Sequence, residues 1–198
     1  MLMDTSEDLW LGADPGKHGA VVLINAKRSD VIMIPTKVSG GRIDVEHLYH
    51  SILPYNDRIR GACMEQVHAI FGSSAKSTFE FGDANGCLRA VLHLLSEGGK
   101  KYKVLEALPK LWQKIAWNGI EKIETPHRSA TTGKIVLLKS GKPRMDVNTK
   151  ATSSRAAHRL FPGVEFVPPR CRVEHDGCVD AALIAVYAYV KTAAAAAL

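Results

Sequence analysis

The sequence predicts an α/β fold with a mixed five-stranded sheet, three antiparallel strands followed by parallel ones, and helices on both faces. Short apolar runs joined by turn residues open the chain, which is typical of antiparallel hairpins. Later apolar runs alternate with segments of helical periodicity, which is typical of parallel strands joined by helices. With 198 residues and 46% hydrophobic content, the chain is long enough to bury one sizeable core.

The strand and helix predictions follow the order of these signals. Pro15-Gly16-Lys17-His18 is a short turn-rich connector that predicts a hairpin between the first two strands. Asp44 is a candidate helix cap, and Pro109 is expected to open a helix after the fifth strand. We expect strands at 9–14, 19–25, 31–34, 60–66 and 102–108, and helices at 44–53, from after 74 to about 98, from 109, at 149–160 and at 176–190.

We expect one domain over residues 9–192 with an embellishment. Residues 118–147 are basic and rich in turn signals, and they predict a protruding hairpin or flexible loop within the domain. The segments 1–8 and 193–198 are expected to be flexible tails, because the first is polar and the second is largely polyalanine.

The charge distribution suggests an anionic partner. Residues 100–172 hold 16 Lys and Arg against 5 Asp and Glu, whereas the remainder of the chain holds 10 against 15. A basic segment beside an acidic cluster suits a protein that binds a phosphate backbone next to a metal site. A solvated lysine-rich surface is the alternative explanation.

Several protein classes have no support. The acidic N-terminus does not resemble a signal peptide, and no apolar run approaches a membrane span. The four cysteines form no secreted framework, so we expect a cytoplasmic or nucleoid-associated location, or the host cytoplasm if the protein is phage-encoded. There is no Walker-type phosphate loop, no organic cofactor is expected, and Cys171, His175 and Cys178 lack a fourth zinc ligand.

Four acidic residues lie in or beside segments that should form the core. Asp14 ends the first strand, where it shares a face with Trp10 and Gly12, and Glu65 lies in the fourth strand. Asp176 and Asp180 lie one helical turn apart, on the inward-facing side of the last helix.

Buried carboxylates are costly unless they are paired or bind metal. An alternative for Asp176 is that it caps the helix or favours the positive end of its dipole, but this explains Asp180 poorly. Mg²⁺ prefers oxygen ligands, and two ions about 4 Å apart can activate water and stabilise a leaving oxygen in phosphoryl transfer. We therefore predict a Mg²⁺ site built from all four acids.

The chain resembles the RuvC-like branch of the ribonuclease H-like nucleases, and its details are most similar to phage and organellar relatives of bacterial RuvC. The resemblance spans about residues 9–190 without 118–147. It lies in segments 12–16, 19–20, 64–67, 82–86, 109–114 and 175–183.

The resemblance implies a ribonuclease H-like fold and a Mg²⁺-dependent Holliday junction resolvase that nicks opposed strands as a homodimer. It implies two Mg²⁺ ions per active site, with Mn²⁺ as a substitute, bound by the catalytic residues Asp14, Glu65, Asp176 and Asp180. His175 is a further candidate ligand. Where bacterial relatives carry a junction-stacking aromatic, this chain has His68, with Phe71 close by.

Further DNA contacts are predicted from basic residues. Lys110 and Lys114 follow the fifth strand one helical turn apart, where they could bind the phosphate of the cleaved strand. Basic residues that would hold the DNA backbone without reading bases are Lys134, Lys139, Lys142 and Arg144 in the insertion, and Lys150 and Arg155 on the helix after it.

Three alternatives remain open for the function. The chain could be a less selective nuclease for branched DNA or an RNA:DNA hybrid nuclease. It could also be a junction-binding protein that keeps the nuclease fold without catalysis. Gly82 and Gly86, one helical turn apart, suggest a close helix contact in a dimer.

Overall fold

A computed structural model describes residues 7–16, 18–39, 42–67, 74–129, 131–169 and 171–193. The strands are β1 (Leu9–Asp14), β2 (Ala20–Asn25), β3 (Val31–Pro35), β4 (Val38–Ser39), β5 (Arg42–Ile43), β6 (Ile59–Glu65), β7 (Lys103–Ala107), β8 (Glu124–Pro126) and β9 (Met145–Val147). The helices are α1 (Val45–Ile52), α2 (Ala75–Leu95), α3 (Pro109–Ala116), α4 (Thr149–Leu160) and α5 (Asp176–Ala193), and a 3-10 helix covers Leu53–Arg58.

The central sheet confirms the predicted fold class. Its strand order is β3-β2-β1-β6-β7. Strand β2 is antiparallel to both of its neighbours, β1 and β3. The pairs β1–β6 and β6–β7 are parallel. Because β1 and β6 are parallel neighbours, their carboxyl ends meet at one edge of the sheet.

Two apolar layers cover the sheet, as its strand pattern requires. One layer contains Trp10, Val22 and Cys63 on the sheet with Trp112 and Ala181 from α3 and α5. The other contains residues of α1 and α2 packed on the alternate positions of the same strands. Every residue of β2 is buried, so this strand is covered on both faces.

The helix caps agree with the sequence signals. The Asp44 carboxylate accepts a hydrogen bond from the backbone N–H of His47 over 2.9 Å at the start of α1. Ser74 caps α2 by accepting from Ser77 N over 3.1 Å, and Pro109 occupies the first turn of α3.

Some local structure differs from the sequence prediction. The pair β4–β5 and the 3-10 helix after α1 were not predicted, because elements this short show too few residues for a periodic pattern. The last helix continues to Ala193, three residues beyond the predicted end. Within the part of the chain that the structure describes, no helix combines the length and apolarity of a membrane span.

The insertion contains a strand pair rather than a structureless loop. β8 and β9 are antiparallel, with Glu124 opposite Val147 and Pro126 opposite Met145.

Candidate active site

Asp14 and Glu65 occupy the carboxyl ends of adjacent parallel strands. Ala13 is opposite Met64, so the next residue of each strand brings the two acids to the same edge of the sheet. Side chains alternate between faces along a strand, which places Asp14 on the face of Gly12 and Glu65 on the face of Cys63. Both lie on the side of the sheet that α5 covers, and the sequence predicted that these two acids share a face.

Helix α5 approaches β1 so closely that only glycine fits between them. A Cβ at Gly12 would lie 2.0 Å from the backbone oxygen of Ala181 and 2.3 Å from the backbone nitrogen of Ala185. At the first turn of α5, a Cβ on Gly177 would lie 2.5 Å from the backbone oxygen of His18. This close approach brings the N-terminal half of α5, with Asp180, to the carboxyl end of β1.

The proximity of these acids affects their pKa values. Burial is the largest cause that raises the pKa of Asp14 well above its ordinary value, and the negative charges of Asp180, Glu65 and Asp176 raise it further. Burial also raises the pKa of Glu65 to about 7, and Asp180 contributes to that increase. The four acids therefore share one electrostatic environment.

Asp180 contributes a buried carboxylate to this group of acids. Burial raises its pKa to about 6, while a hydrogen bond from the Ser153 side chain lowers it. Its Oδ1 atom is buried and has no hydrogen-bond partner in the described part of the chain. An ionised buried oxygen without a donor is unfavourable, so this atom is suited to bind a cation or a metal-bound water.

Asp176 is more exposed than the other three acids and already has a partner. The Lys150 ammonium, from the first turn of α4, donates a hydrogen bond to its Oδ2 atom. This contact raises the pKa of Lys150, and the Lys150 charge lowers the pKa of nearby Asp180. Lys150, predicted as a DNA-binding residue, thus lies directly beside the acid cluster.

Trp112 positions Glu65. Its indole N–H donates to Oε1 of Glu65 over 3.3 Å from a buried position on α3, and this bond lowers the pKa of Glu65 against the effect of burial. Trp112 lies on α3, the helix after β7, and the sequence around it contains no pattern that would predict a contact with Glu65.

His175 caps α5. Its Nδ1 atom accepts a hydrogen bond from Cys178 N over 3.2 Å, and its carbonyl accepts from Val179 N over 3.1 Å. This hydrogen bond uses the Nδ1 lone pair and places the proton of a neutral imidazole on Nε2, so His175 can act as the predicted ligand only when Nε2 gives up that proton or Nδ1 releases Cys178 N.

The chemistry of the donor set fits a hard divalent cation. It consists of carboxylates with raised pKa values, one of which has a buried oxygen without a partner. Within the described ranges, no three His, Cys, Asp or Glu side chains are close enough to form one metal-binding group. Mg²⁺ usually keeps several waters and needs only one or two carboxylates as direct ligands. The lack of a three-residue group among the described residues is therefore compatible with a Mg²⁺ site at these acids.

The predicted α3 lysines border a surface groove. Lys110 and Lys114 are exposed, and together with Lys122 they line a groove of about 500 Å³ that also contains Trp117 and Gly119. Because α3 also carries Trp112, these lysines are on the same helix that contacts Glu65.

The remaining predicted DNA-binding residues lie in different places. Lys134, Lys139, Lys142 and Arg144 are exposed on the insertion. Arg155 donates to the backbone oxygen of Glu121 over 3.0 Å and thereby attaches the insertion to α4. His68 and Phe71 lie outside the described residues.

Ser153 is a second site residue that the sequence did not predict. It is buried on α4 and its side chain hydrogen-bonds to Asp180. The sequence did contain a signal for this contact. Ser153 lies on the buried face of α4 beside Ala156 and Ala157, and a buried hydroxyl needs a hydrogen-bond partner.

No protein-family model matches this sequence, and no curated protein does. Among solved structures, the fold is similar to T. thermophilus RuvC in complex with Holliday junction substrate. The TM-score is 0.51 at 14% sequence identity, over 94% of this chain and 96% of that chain. The chain therefore has the RuvC type of ribonuclease H-like fold.

Proposed function

We propose that this protein is a metal-dependent endonuclease that resolves Holliday junctions by paired nicks. The observation that carries the proposal is the convergence of Asp14, Glu65 and Asp180 at one edge of a RuvC-like sheet, with raised pKa values. Ordinary structural carboxylates are solvated or paired, whereas burial raises the pKa of each of these three, and the charge of Asp180 raises the pKa of Asp14 and Glu65 further.

Asp14, Glu65, Asp180 and Asp176 are the proposed metal-binding residues, with His175 as a further ligand. Bound Mg²⁺, with two ions as the proposed number and Mn²⁺ as a substitute, would supply an activated water and stabilise the leaving oxygen. The bare oxygen of Asp180 and the mutual repulsion of the acids both favour cation binding at this place.

The chain's own groups organise the site around these acids. Trp112 fixes the orientation of the Glu65 carboxylate through its N–H. Lys150 neutralises Asp176 and can exchange this partner for a DNA phosphate when the cation is present. Lys110 and Lys114 on α3 are proposed to hold the backbone of the cleaved strand, because exposed ammonium groups bind phosphates without reading bases.

We also propose that the protein acts as a homodimer through α2. Phe79 is 67% exposed on this helix, and a Cβ at Gly82 or Gly86 would meet nothing within 4 Å among the described atoms. Glycine within a helix costs about 1 kcal/mol relative to alanine, so two exposed glycines are favoured only where a second helix must approach closely. A two-fold partner would match the two-fold symmetry of a four-way junction.

Cleavage of labelled substrates tests the nuclease proposal directly. The panel contains a four-way junction, a flap, a linear duplex and an RNA:DNA hybrid, each with and without Mg²⁺. We expect paired nicks in the junction with 5′-phosphate and 3′-hydroxyl ends. Asp14→Asn should bind the junction and not cut it, whereas Asp57→Asn, which removes an exposed acid, should cut normally.

The other outcomes separate the alternatives. Faster cleavage of the flap or the hybrid would replace junction resolution by a different nuclease specificity. Tight junction binding without cleavage by the natural sequence would identify a non-catalytic binding protein.

A further inference from the structure

The insertion contains three short antiparallel segments that each pair with the other two, and we call this unit the arm (residues 124–147). Besides the β8–β9 pairing, Val136 N donates to the backbone oxygen of His127 and Arg144 N donates to that of Val136, each over 2.9 Å. Bridges between Arg128 and Ile135 and between Leu137 and Pro143 continue the same registers. The middle segment is thus paired on both sides.

This register sorts the side chains of the arm into two faces. Residues directly opposite each other share a face, and residues two apart along a segment share it too. One face, the apolar face, therefore contains Pro126, Arg128, Ile135, Leu137, Pro143 and Met145. The opposite face, the basic face, carries three of the arm's cations but also apolar and acidic side chains: Thr125, His127, Lys134, Val136, Leu138, Lys142, Arg144 and Asp146.

The apolar face is open to solvent. Leu137 is 60% exposed, Met145 is 46% exposed and Ile135 is 41% exposed, and both prolines are exposed as well. Three large apolar side chains side by side on a thin arm are uncommon on a protein surface unless a partner covers them. Arg128, the one charged residue of this face, donates to the backbone oxygen of Gly133 over 3.1 Å.

The charge of the arm identifies the kind of partner. The arm contains five Lys and Arg against two acidic residues, Glu124 and Asp146, which lie at its base. Lys134, Lys139 and Lys142 form no ion pair with the described residues, whereas Arg144 pairs with Asp146 over 3.5 Å. A surface with cations on one face and aliphatic groups on the other is complementary to DNA, which presents anionic backbone beside apolar base faces.

The root of the arm is held in a fixed place relative to the acid cluster. Arg159 donates to the backbone oxygen of Gly119 over 2.6 Å, and Ile123 N donates to Thr152 Oγ1 over 3.1 Å. Both partners are on α4, the helix that also carries Ser153 beside Asp180 and Lys150 beside Asp176. The arm and the proposed catalytic acids are therefore attached to the same helix.

We propose that the arm is a two-faced wedge for branched DNA: its apolar face packs on bases exposed at the branch point while its basic face holds the neighbouring phosphates. This inference rests on the proposed function, since it assumes that the acid cluster acts on DNA. A second copy of the arm is a less suitable occupant, because two such arms would bring like charges together.

Fluorescence of 2-aminopurine at the branch point tests the wedge. The Asp14→Asn protein is titrated onto a four-way junction carrying the probe and onto a linear duplex of the same sequence. Binding should increase the fluorescence of the junction, because inserted aliphatic groups unstack the probe. The double variant Ile135→Ser/Leu137→Ser should lose most of this increase, and its preference for junction over duplex should fall about tenfold.

Matched variants distinguish the two faces. Leu53→Ser replaces a similarly exposed leucine in the 3-10 helix, outside the arm, and should leave fluorescence and preference unchanged. Lys134→Gln/Lys142→Gln should weaken junction and duplex binding alike and reduce the salt slope by about one per lost phosphate contact. Leu137→Ala alone provides a milder version of the apolar change should the double variant fold poorly.

Two results would overturn the proposal. One is an unchanged fluorescence increase and an unchanged preference in Ile135→Ser/Leu137→Ser. The other is that sedimentation shows this variant converting a dimer into monomers, which would make the apolar face a contact between copies. The binding readout needs no cleavage, so it remains interpretable if the substrate panel shows no nuclease activity.

Discussion

The indole N–H of Trp112 donates to the carboxylate of Glu65, which joins a buried helix residue to an acid at the end of β6. The neighbouring Trp117 packs edge-to-face on Trp112 with ring centroids 6.3 Å apart. Its own indole nitrogen is buried without a hydrogen-bond partner among the described residues. The two indole rings therefore pack against each other, but only the N–H of Trp112 donates a hydrogen bond among the described residues.

Replacement of Trp112 by Phe should raise the pKa of Glu65 further, because the bond that lowers it is lost. The rise of cleavage rate with pH should then move to higher pH, and the protein should lose about 1 kcal/mol of stability. Trp117→Phe removes an unused N–H and should leave the pH profile unchanged. An equal shift in both variants would show that packing, rather than the hydrogen bond, sets the proton affinity of Glu65.

Metal-free protein should become less stable as the pH rises from about 4 to about 8. The pKa of Glu65 is raised from 4.5 to about 7 and that of Asp180 from 3.8 to about 6, so the folded state binds more protons than the unfolded state in this range. The stability that these groups contribute is fully present at low pH and is lost through the folded-state pKa values. The total loss should be on the order of 6 kcal/mol, since one pKa unit corresponds to 1.36 kcal/mol.

Urea denaturation at several pH values measures this slope. Asp180→Asn should reduce the slope, and Mg²⁺ should oppose the loss of stability above pH 7 because cation binding favours the ionised folded state. Asp57→Asn, at an exposed acid, should leave the slope as it is. A stability that increases with pH across this range would contradict the assigned environment of the acids.

Gly12→Ala should be strongly destabilising. The added methyl group would lie 2.0 Å from the backbone oxygen of Ala181, so α5 would have to move away from the sheet. We expect a loss of about 3 kcal/mol or more, as for other overpacked cores. Gly82→Ala, where nothing lies within 4 Å, should instead be neutral or stabilise the subunit by up to about 1 kcal/mol.

The α2 surface predicts a clear change in oligomeric state. Gly86→Leu places a bulky group on the exposed face beside Phe79 and should shift sedimentation from dimer to monomer, since the two helices could no longer approach closely. Leu53→Ser changes a different surface and serves as the control. Dimers of unchanged strength in Gly86→Leu would exclude this face as the dimer contact.

Much of the fold could be predicted from local patterns. Alternation along β1 and β6 was sufficient to predict that Asp14 and Glu65 share a face, because a strand has a period of two. The helix starts marked by Asp44, as a cap, and by Pro109, as a first helical residue, were predicted for the same reason, since each acts within a few residues of its own position.

The features that depend on distant contacts were not predicted. The fit of Gly12 against Ala181, and the bonds from Trp112 to Glu65 and from Ser153 to Asp180, join segments far apart in the chain. The two faces of the arm depend on a register that its short strands and turn residues do not specify. The predicted phosphate contact of Arg155 stays a prediction, and in the structure this side chain binds the backbone of Glu121.

Binding of Mn²⁺, followed by electron paramagnetic resonance, tests most directly whether the separated acids form one cation site. Asp180 and one neighbouring carboxylate of the site should hold the ion at pH 8, with affinity falling below about pH 6 as the carboxylates gain protons. Asp180→Asn should abolish or greatly weaken binding, whereas Asp57→Asn should bind as the natural sequence does. Equal Mn²⁺ affinity in all three proteins would contradict the proposed metal site.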